Sequence, residues 1–199
     1  MTQQPFFSIV MPAYNCENTI GDTIKSIQSQ QFENYELIIV NDGSTDGTEE
    51  VVNDFAKEDS RITILTIANN GPGNARNKGI SIAIGKYLYL MDSDDTLPQE
   101  TLIVYFKVLD RREPDLIVSS YQLNVLDKEE TVDTRIVFAG NNWISSNEEF
   151  LTNLFPLMEK QLMYVIWNKV YRMDIIKNFN IEFPPVSYTH LTLPTKRIV

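Results

Sequence analysis

The amino-acid sequence predicts an α/β protein with a largely parallel central sheet. Short apolar runs alternate with segments in which apolar residues recur at helical spacing, four times over residues 6–109. Turn-forming residues, rich in Gly, Pro, Asn and Asp, separate the segments. A regular order of strand then helix favours a layered structure in which helices cover a parallel sheet.

The elements follow one another along the chain. The apolar stretch FFSIVM at residues 6–11 ends at Pro12 and predicts a buried strand, because proline cannot continue the ladder of hydrogen bonds. Further strands are predicted at residues 37–40, 62–67, 86–91 and 116–119. Helices are predicted at residues 17–27, around 51–55, at 74–84, and from Pro98, whose ring suits a first helical turn, to Leu109.

The pattern changes after about residue 120. Residues 121–125 and 131–138 predict two more strands, joined as a hairpin around Asp127 and Lys128. Residues 147–158 and 173–179 predict helices.

Composition excludes several classes of protein. The formal net charge of −10 argues against a nucleic-acid partner, which would need Lys and Arg to replace counterions. No apolar run approaches the roughly 20 residues of a membrane helix, and residues 1–5 do not begin a secretory signal. The single cysteine, Cys16, fits a reducing compartment. We expect a cytoplasmic protein.

Polar loops follow the first, second and fourth predicted strands. They contain Pro12-Ala13-Tyr14-Asn15, the run NDGSTD at residues 41–46, and the run DSDD at residues 92–95. Ligands of open parallel sheets bind outside the carboxyl ends of the strands, near the point where strand order reverses. We therefore expect these three loops to meet at one edge of the sheet.

The first two loops offer groups that suit a nucleobase. The ring of Tyr14 can pack on a base while backbone groups around Ala13 read its edge, although a tyrosine that covers the core is an alternative. Asp42 can accept a hydrogen bond from a base N–H. The run from Ser44 to Asp46 is expected to be mainly a turn and a helix cap.

The third loop carries the chemistry of a cation site. Asp92 and Asp94 flank Ser93 at the end of a buried strand, and neighbouring carboxylates repel one another unless a cation neutralises them. Hard oxygen ligands suit Mg²⁺ or Mn²⁺. Such an ion would let an acidic protein bind a diphosphate, although a D-x-D pattern alone is weak evidence.

A fourth segment, GPGNARNKG at residues 71–79, opens a helix. Its glycines allow close approach of the backbone, and the helix N-terminus favours an anion. Arg76 can reach a base or a phosphate. A glycine-rich turn with a surface arginine is an equally good interpretation of this segment alone.

Together, these segments resemble family 2 glycosyltransferases. The matching stretches are SIVMPAYNCENTI (8–20), YELIIVNDGSTDGT (35–48), GPGNARNKGI (71–80) and GKYLYLMDSDDTLPQETL (85–102). The resemblance implies a glycosyltransferase A-type fold, which is a Rossmann-like α/β/α sandwich. It assigns residues 1–120 to a nucleotide-sugar-binding domain and residues 121–185 to the incomplete beginning of an acceptor-side region.

The resemblance also implies an activity and a set of site residues. The expected reaction is inverting transfer of a sugar from a nucleotide diphosphate donor, usually a UDP-sugar, to a glycan or lipid-linked acceptor, with Mn²⁺ or Mg²⁺. Asp92 would hold the ribose and Asp94 the metal, with Ser93 between them. The residues that would line the nucleotide pocket are Pro12, Ala13, Tyr14, Glu17, Asp42 and Arg76.

The stretch YVIWNKVYR at residues 164–172 resembles the subgroup that makes capsular, cell-wall or lipopolysaccharide glycans. In that subgroup a Trp-Asn-Lys segment lies under the acceptor region. A buried Trp167 that supports the second part of the chain is an equally good interpretation.

The end of the chain departs from the family pattern. Residues 186–199 resemble the translation of a sequencing-library adapter, so we expect read-through from a truncated gene and assign no role to His190. Relatives carry a Glu-Asp pair here whose aspartate is the general base. Asp95, Asp115 and Asp174 do not match it, so no base is named. We expect donor binding with little or no transfer, and possible membrane association through a missing C-terminal part.

The sequence lacks the motifs of two other classes of nucleotide-binding protein. An NAD-dependent oxidoreductase needs G-x-G-x-x-G after the first strand, where this chain has Pro12 to Cys16. A P-loop hydrolase needs G-x-x-x-x-G-K-[ST], which is absent from the sequence. A cation- or nucleotide-binding module without transferase activity remains open.

Overall fold

The structure is a computed structural model that describes residues 4–127 and 130–184. Strands and helices alternate through most of these residues. The strands are β1 (Phe7–Ala13), β2 (Tyr35–Asn41), β3 (Ile62–Thr66), β4 (Tyr87–Leu90), β5 (Leu116–Val118), β6 (Tyr121–Asp127), β7 (Glu130–Val137) and β8 (Lys169–Arg172). The helices are α1 (Ile20–Gln28), α2 (Thr48–Glu58), α3 (Pro72–Ile82), α4 (Thr101–Arg112), α5 (Asn147–Glu159) and α6 (Met173–Asn178).

Six of the strands form one sheet in the order β3-β2-β1-β4-β8-β5. β1 pairs in parallel with β2 on one side and with β4 on the other, and β2 pairs in parallel with β3. β8 is antiparallel to β4. The predicted α/β fold with a mostly parallel sheet is therefore confirmed. The sequence pattern missed β8, a four-residue strand that takes the place beside β4.

β1 lies at the point where strand order reverses. The chain runs outward from β1 to β2 and β3, and then returns to the other side of β1 to form β4. All seven residues of β1 and all four of β4 are buried. Strands buried in this way are covered on both faces, as in a three-layer α/β arrangement.

The helices bury the apolar stripes that their spacing predicts. α1 buries Ile20, Ile24 and Ile27, because residues three and four apart lie on the same face of a helix. α4 does the same with Leu102, Tyr105 and Leu109. The helical prediction is confirmed for both segments.

Three helix starts differ from the prediction. α1 begins at Ile20 and not at Glu17. α4 begins at Thr101, so Pro98 lies in the preceding loop and not in the first helical turn. The Pro98 carbonyl accepts hydrogen bonds from the Thr101 N–H at 3.0 Å and the Thr101 hydroxyl at 2.8 Å. α3 begins two residues earlier than predicted, because Pro72 occupies its first turn and Gly71 precedes it with a φ of 87°.

The chain forms two compact units. One comprises residues up to Leu116 together with residues from Val170, and the other comprises Ile117–Lys169. In the second unit β6 and β7 pair as an antiparallel hairpin, which confirms the two predicted strands. The turn residues 128–129 lie outside the described residues. The division into functional regions at residues 1–120 and 121–185 stays a prediction. The predicted artefact at 186–199 also lies outside the described residues.

No helix of the described residues is both long and apolar enough to span a bilayer. The longest of the described helices, α5, has 13 residues.

A glycine allows α3 to pack closely on the sheet. A Cβ added at Gly79 would lie 2.4 Å from Val10 Cγ1 and 3.2 Å from Val40 Cγ2, which belong to β1 and β2. Valine has little freedom to move away, because its side chain is branched at Cβ. Gly79 therefore sets the distance between α3 and the two strands whose loops begin the candidate site.

We expect Gly79→Ala to lower the free energy of unfolding by about 1–3 kcal/mol, because the added methyl group overpacks the core. Gly21→Ala in α1 is the matched control, since its Cβ would meet Phe55 Cε2 at an ordinary 3.7 Å. That control should raise stability by up to about 1 kcal/mol, because alanine favours helix. Urea unfolding followed by circular dichroism measures both. Equal stability of the two variants would contradict this packing argument.

A charged network lies where α2 leads into β3. Asp59 accepts hydrogen bonds from Arg61 Nε at 2.9 Å, Arg61 Nη2 at 2.8 Å and Gln28 Nε2 at 2.9 Å. These bonds, above all those from Arg61, hold the pKa of Asp59 far below its ordinary value although burial opposes them. The Arg61 guanidinium lies 4.4 Å from the centre of the Tyr35 ring. Burial raises the pKa of Tyr35 to about 12.

Because the pKa of Asp59 in the folded protein lies below its ordinary value of 3.8, the ionised carboxylate stabilises the fold above pH 3.8. This contribution to stability is lost as the pH falls from 3.8 towards the lowered pKa. We expect Asp59→Asn to lower the free energy of unfolding at pH 7 by about 1–3 kcal/mol. The difference from wild type should shrink at pH 3. Urea unfolding at both values checks this. Asp54→Asn, which removes an exposed ion pair with Lys57, is the control and should change the free energy of unfolding little. If Asp59→Asn lowers stability equally at pH 7 and pH 3, the ionic explanation is wrong.

Candidate functional site

The loops after β1 and β2 are fastened to each other by side chains. The Asn15 backbone N–H donates to Ser44 Oγ at 3.0 Å, and Asn15 Oδ1 accepts from the Thr45 N–H at 2.8 Å. Asn15 has a φ of 48°, a left-handed conformation that asparagine tolerates. Glu17 Oε2 accepts from the Gly47 N–H at 2.6 Å. These contacts give the two loops one fixed arrangement.

The strand ends beneath these loops are in register. Pro12 lies opposite Val40 and Ala13 opposite Asn41 in the parallel pairing of β1 and β2. The Ala13 carbonyl accepts a hydrogen bond from the backbone N–H of Asp42 at 2.8 Å. The first and second predicted loops therefore begin side by side at the carboxyl edge of the sheet.

Asp42 has a structural role that the sequence did not predict. It is 3% exposed, and its two carboxylate oxygens accept from the backbone N–H groups of Asn70 at 2.9 Å and Gly71 at 2.8 Å. The carboxylate thereby shapes the turn that leads into α3. Since a carboxylate has about four acceptor positions, these two bonds use about half of them.

The fourth predicted segment contacts the third loop through an ion pair. Arg76 Nη2 of α3 lies 2.7 Å from Asp92 Oδ1, just after β4, and the two side chains are 13% and 33% exposed. A pair of this burial is screened less than a surface pair. Arg76 and Asp92, each predicted to contact a nucleotide, are thus brought together.

α1 holds the acidic loop in place. Thr23 Oγ1 donates to the Ser93 carbonyl at 2.9 Å, and Ser26 Oγ accepts from the Leu97 N–H at 3.1 Å. The two hydroxyls lie three residues apart on α1, so one helix face contacts both ends of the loop. The backbone around Ser93 is therefore fixed relative to β1 and α1.

The carboxylates of this loop differ in their surroundings. Asp94 is exposed and has no hydrogen-bond partner among the residues that the structure describes, whereas Asp95 is partly buried. Burial, followed by the charges of Asp94 and Asp92, raises the pKa of Asp95 to about 7. Asp95 was given no role from the sequence because it does not match the family's general base; its partial burial is visible only in the structure.

Tyr14 and Glu17 complete the predicted set. The Tyr14 side chain is half-exposed at 51%, so its ring is accessible to a planar ligand. Glu17 is exposed, and one of its oxygens already accepts from Gly47 at the start of α2. The assignment of the predicted site residues to a nucleotide stays a prediction.

The loop after β4 has too few ligand side chains to hold a divalent cation alone, so a bound substrate would have to supply further oxygen atoms. No group of three or more His, Cys, Asp or Glu side chains in residues 4–127 and 130–184 is placed to hold a metal ion. Mg²⁺ commonly binds one or two carboxylates, several waters and the phosphates of a substrate. Asp94 has the oxygen ligands and the exposure for that arrangement.

A cavity of about 350 Å³ lies at the opposite edge of the sheet, where β4 begins. Three of its charged lining residues form ion pairs within the same unit: Lys86 Nζ lies 2.6 Å from Glu113 Oε1, and Arg172 Nη2 lies 3.1 Å from Asp115 Oδ1. This cavity is not part of the candidate site.

In the second unit, the Trp-Asn-Lys segment forms a buried network. Asn168 Nδ2 donates to the carbonyls of Ser119 at 3.0 Å and Leu162 at 3.2 Å. Lys169 Nζ donates to the Leu162 carbonyl at 2.6 Å and to Asn168 Oδ1 at 2.7 Å, and burial lowers its pKa to about 8. Asn168 and Lys169 are 2% and 3% exposed. These contacts give Asn168 and Lys169 a structural role. Trp167 is only partly buried and packs edge-on against Tyr121, with 4.8 Å between the ring centres, so its predicted role stays a prediction.

The fold and the loops define the class of protein. A mostly parallel sheet with polar loops at its reversal point is the arrangement of α/β proteins that bind ligands at the carboxyl edge. Residues 8–179 match the family model described as Glycosyl transferase family 2. The chain belongs to that family.

Relatives and solved structures agree with this assignment. The putative glycosyltransferase EpsH of Bacillus subtilis (strain 168) is 31% identical over 182 residues, which cover 92% of this chain and 51% of that protein. The putative teichuronic acid biosynthesis glycosyltransferase TuaG of the same strain is 34% identical over 125 residues, which cover 62% and 50%. The chain spans about half the length of the curated relatives it matches.

Among solved structures, S. aureus TarS 1–349 in complex with UDP has a TM-score of 0.70 and 25% identity, covering 90% of this chain and 50% of that one. The same TarS fragment in complex with UDP-GlcNAc gives a TM-score of 0.69, also with 25% identity, covering 89% and 48%.

We expect Asp42→Asn to lower the free energy of unfolding by about 1–3 kcal/mol, because an amide cannot accept from both backbone N–H groups. Hydrogen exchange should quicken at Asn70 or Gly71, whose N–H loses its acceptor. Urea unfolding and amide exchange by NMR measure the two effects. Asp22→Asn, an exposed change on α1, is the control. Unchanged exchange at both amides would show that Asp42 does not organise this turn.

Proposed function

We propose that this chain binds a UDP-sugar together with Mn²⁺ or Mg²⁺ and serves in transfer of the sugar, with inversion, to a glycan or lipid-linked acceptor. The observation that carries the proposal is the meeting of the β4 loop and α3 through Asp92 and Arg76 at the reversal point of the sheet. Membership of glycosyl transferase family 2 supports the reaction class.

The nucleotide would bind above the ends of β1 and β2. The exposed ring of Tyr14 would pack on the uracil base, because aromatic rings stack favourably on flat apolar surfaces. Backbone groups beside Pro12 and Ala13, and the remaining acceptor positions of Asp42, would read the edge of the base. Glu17 would border the pocket from the start of α1. The UDP in the related TarS complex supports uracil as the base.

The diphosphate and the ribose would bind above the end of β4. Asp92 uses one oxygen for Arg76, which leaves acceptor positions for the ribose hydroxyls, and the Ser93 backbone is held by Thr23. Asp94 would hold the cation, which when bound offsets negative charge on the departing diphosphate. Arg76, fixed against Asp92, would direct its remaining N–H groups towards the nucleotide.

These side chains bind and orient the donor. Inversion at the anomeric carbon requires the acceptor hydroxyl to attack from the side opposite the diphosphate, while a base removes its proton. The residues named above lie on the donor side, so we assign none of them as the base. The glycan or lipid-linked acceptor is supported by TuaG, whose name refers to teichuronic acid biosynthesis.

A second candidate is a cation-binding module without transferase activity. It is favoured by one observation: the three carboxylates of Asp92, Asp94 and Asp95 lie in one loop, and Asp94 is exposed. A module of this kind would bind Mn²⁺ with equal affinity whether or not UDP is present.

Calorimetry with UDP in the presence and absence of Mn²⁺ tests the proposal. We expect binding that depends on Mn²⁺, and we expect Asp94→Asn to raise the Kd at least about tenfold, equivalent to about 1.4 kcal/mol. Asp110→Asn, an exposed change on α4, is the matched control and should bind like wild type. Mn²⁺ binding that ignores UDP would favour the second candidate, and absence of UDP binding would reject the donor site.

A further inference from the structure

Asn77 joins α3 to a segment more than 100 residues away. Its Nδ2 donates to the Phe183 carbonyl at 2.9 Å, and its Oδ1 accepts from the Phe183 N–H at 2.9 Å. An amide side chain presents a donor and an acceptor side by side. The pair of bonds therefore fixes both the position and the direction of the backbone at Phe183.

The aromatic ring held in this way lies against the arginine of the candidate site. The Arg76 guanidinium carbon is 5.5 Å from the centre of the Phe183 ring, a distance at which a cation is attracted to an aromatic face. Arg76 Nε is buried and has no hydrogen-bond partner among the described residues. Arg76 is therefore held by the ring on one side and by Asp92 at Nη2 on the other.

Such support has a physical purpose. An arginine side chain loses much of its rotamer freedom when it is fixed in one geometry. A single contact at one nitrogen leaves the rest of the guanidinium free to turn, whereas the ring and the carboxylate together restrict it. An arginine fixed before the ligand arrives does not lose that freedom on binding.

We propose that Asn77 is a positioning residue for the donor site, acting through Phe183 to keep Arg76 directed at Asp92 and the bound nucleotide. The proposal rests on the proposed function, because it takes Arg76 and Asp92 to border the donor. Asn77 itself contacts the Phe183 backbone and is given no contact with the ligand.

A double-mutant cycle separates positioning from a general effect on folding. If Asn77 acts through Arg76, Asn77→Ala should raise the Kd for UDP with Mn²⁺ about tenfold in the wild-type background and less than about twofold in Arg76→Ala. Asn53→Ala on α2, where the side chain has no hydrogen bond within the described residues, is the matched control and should bind like wild type. Equal weakening in both backgrounds, or no weakening in either, would overturn the proposal.

A second measurement needs no nucleotide. In ¹⁵N NMR spectra, the Arg76 Nε–H signal, assigned by its loss in Arg76→Lys, should exchange slowly with solvent in wild type and at least about tenfold faster in Asn77→Ala. Unchanged exchange would show that Asn77 does not hold Arg76. If wild type fails to bind UDP, the proposed function fails, and this signal still decides whether Asn77 restrains the arginine.

Discussion

Parallel pairing of β1 with both β2 and β4 is the interaction on which the candidate site depends. Every residue of β1 is buried, and its neighbours on either side run in the same direction. The loops that leave β1, β2 and β4 must then emerge at the same edge. Strand order reverses at β1, and in open α/β sheets ligands bind at the carboxyl edge near such a reversal.

The acidic residues of this edge are stabilised in different ways, and this explains how a chain of net charge −10 tolerates them. Asp42 is buried and accepts from two backbone N–H groups. Asp46 accepts from the Thr48 hydroxyl at 2.6 Å near the start of α2, where a helix favours negative charge. Asp92 pairs with Arg76. Asp94 alone among these four lacks such a partner within the described residues, so it is the carboxylate best able to hold a cation.

The sequence predicted the strands and helices that depend on residues close together in the chain. The runs at 6–11 and 86–91 became β1 and β4, because continuous apolar stretches must be buried, and the stripe of Ile20, Ile24 and Ile27 placed α1 on the core. The sequence did not predict β8, because its place beside β4 depends on pairing between residues more than 80 positions apart. The contacts of Asp42 with the turn before α3 were likewise invisible, because they join residues 28 and 29 positions apart.

The pair of Arg76 and Asp92 shows why residue types alone could not assign roles within the site. The sequence offered both as separate ligand contacts, yet the structure joins them at 2.7 Å. Without the guanidinium, Asp92, Asp94 and the partly buried Asp95 would repel one another at the end of one strand. Burial and, after it, the charges of Asp94 and Asp92 raise the pKa of Asp95. The Arg76 guanidinium, a cation that belongs to the protein, therefore offsets part of the negative charge of this loop. An arginine with this task must be held in place, since a freely turning side chain would compensate Asp92 only part of the time.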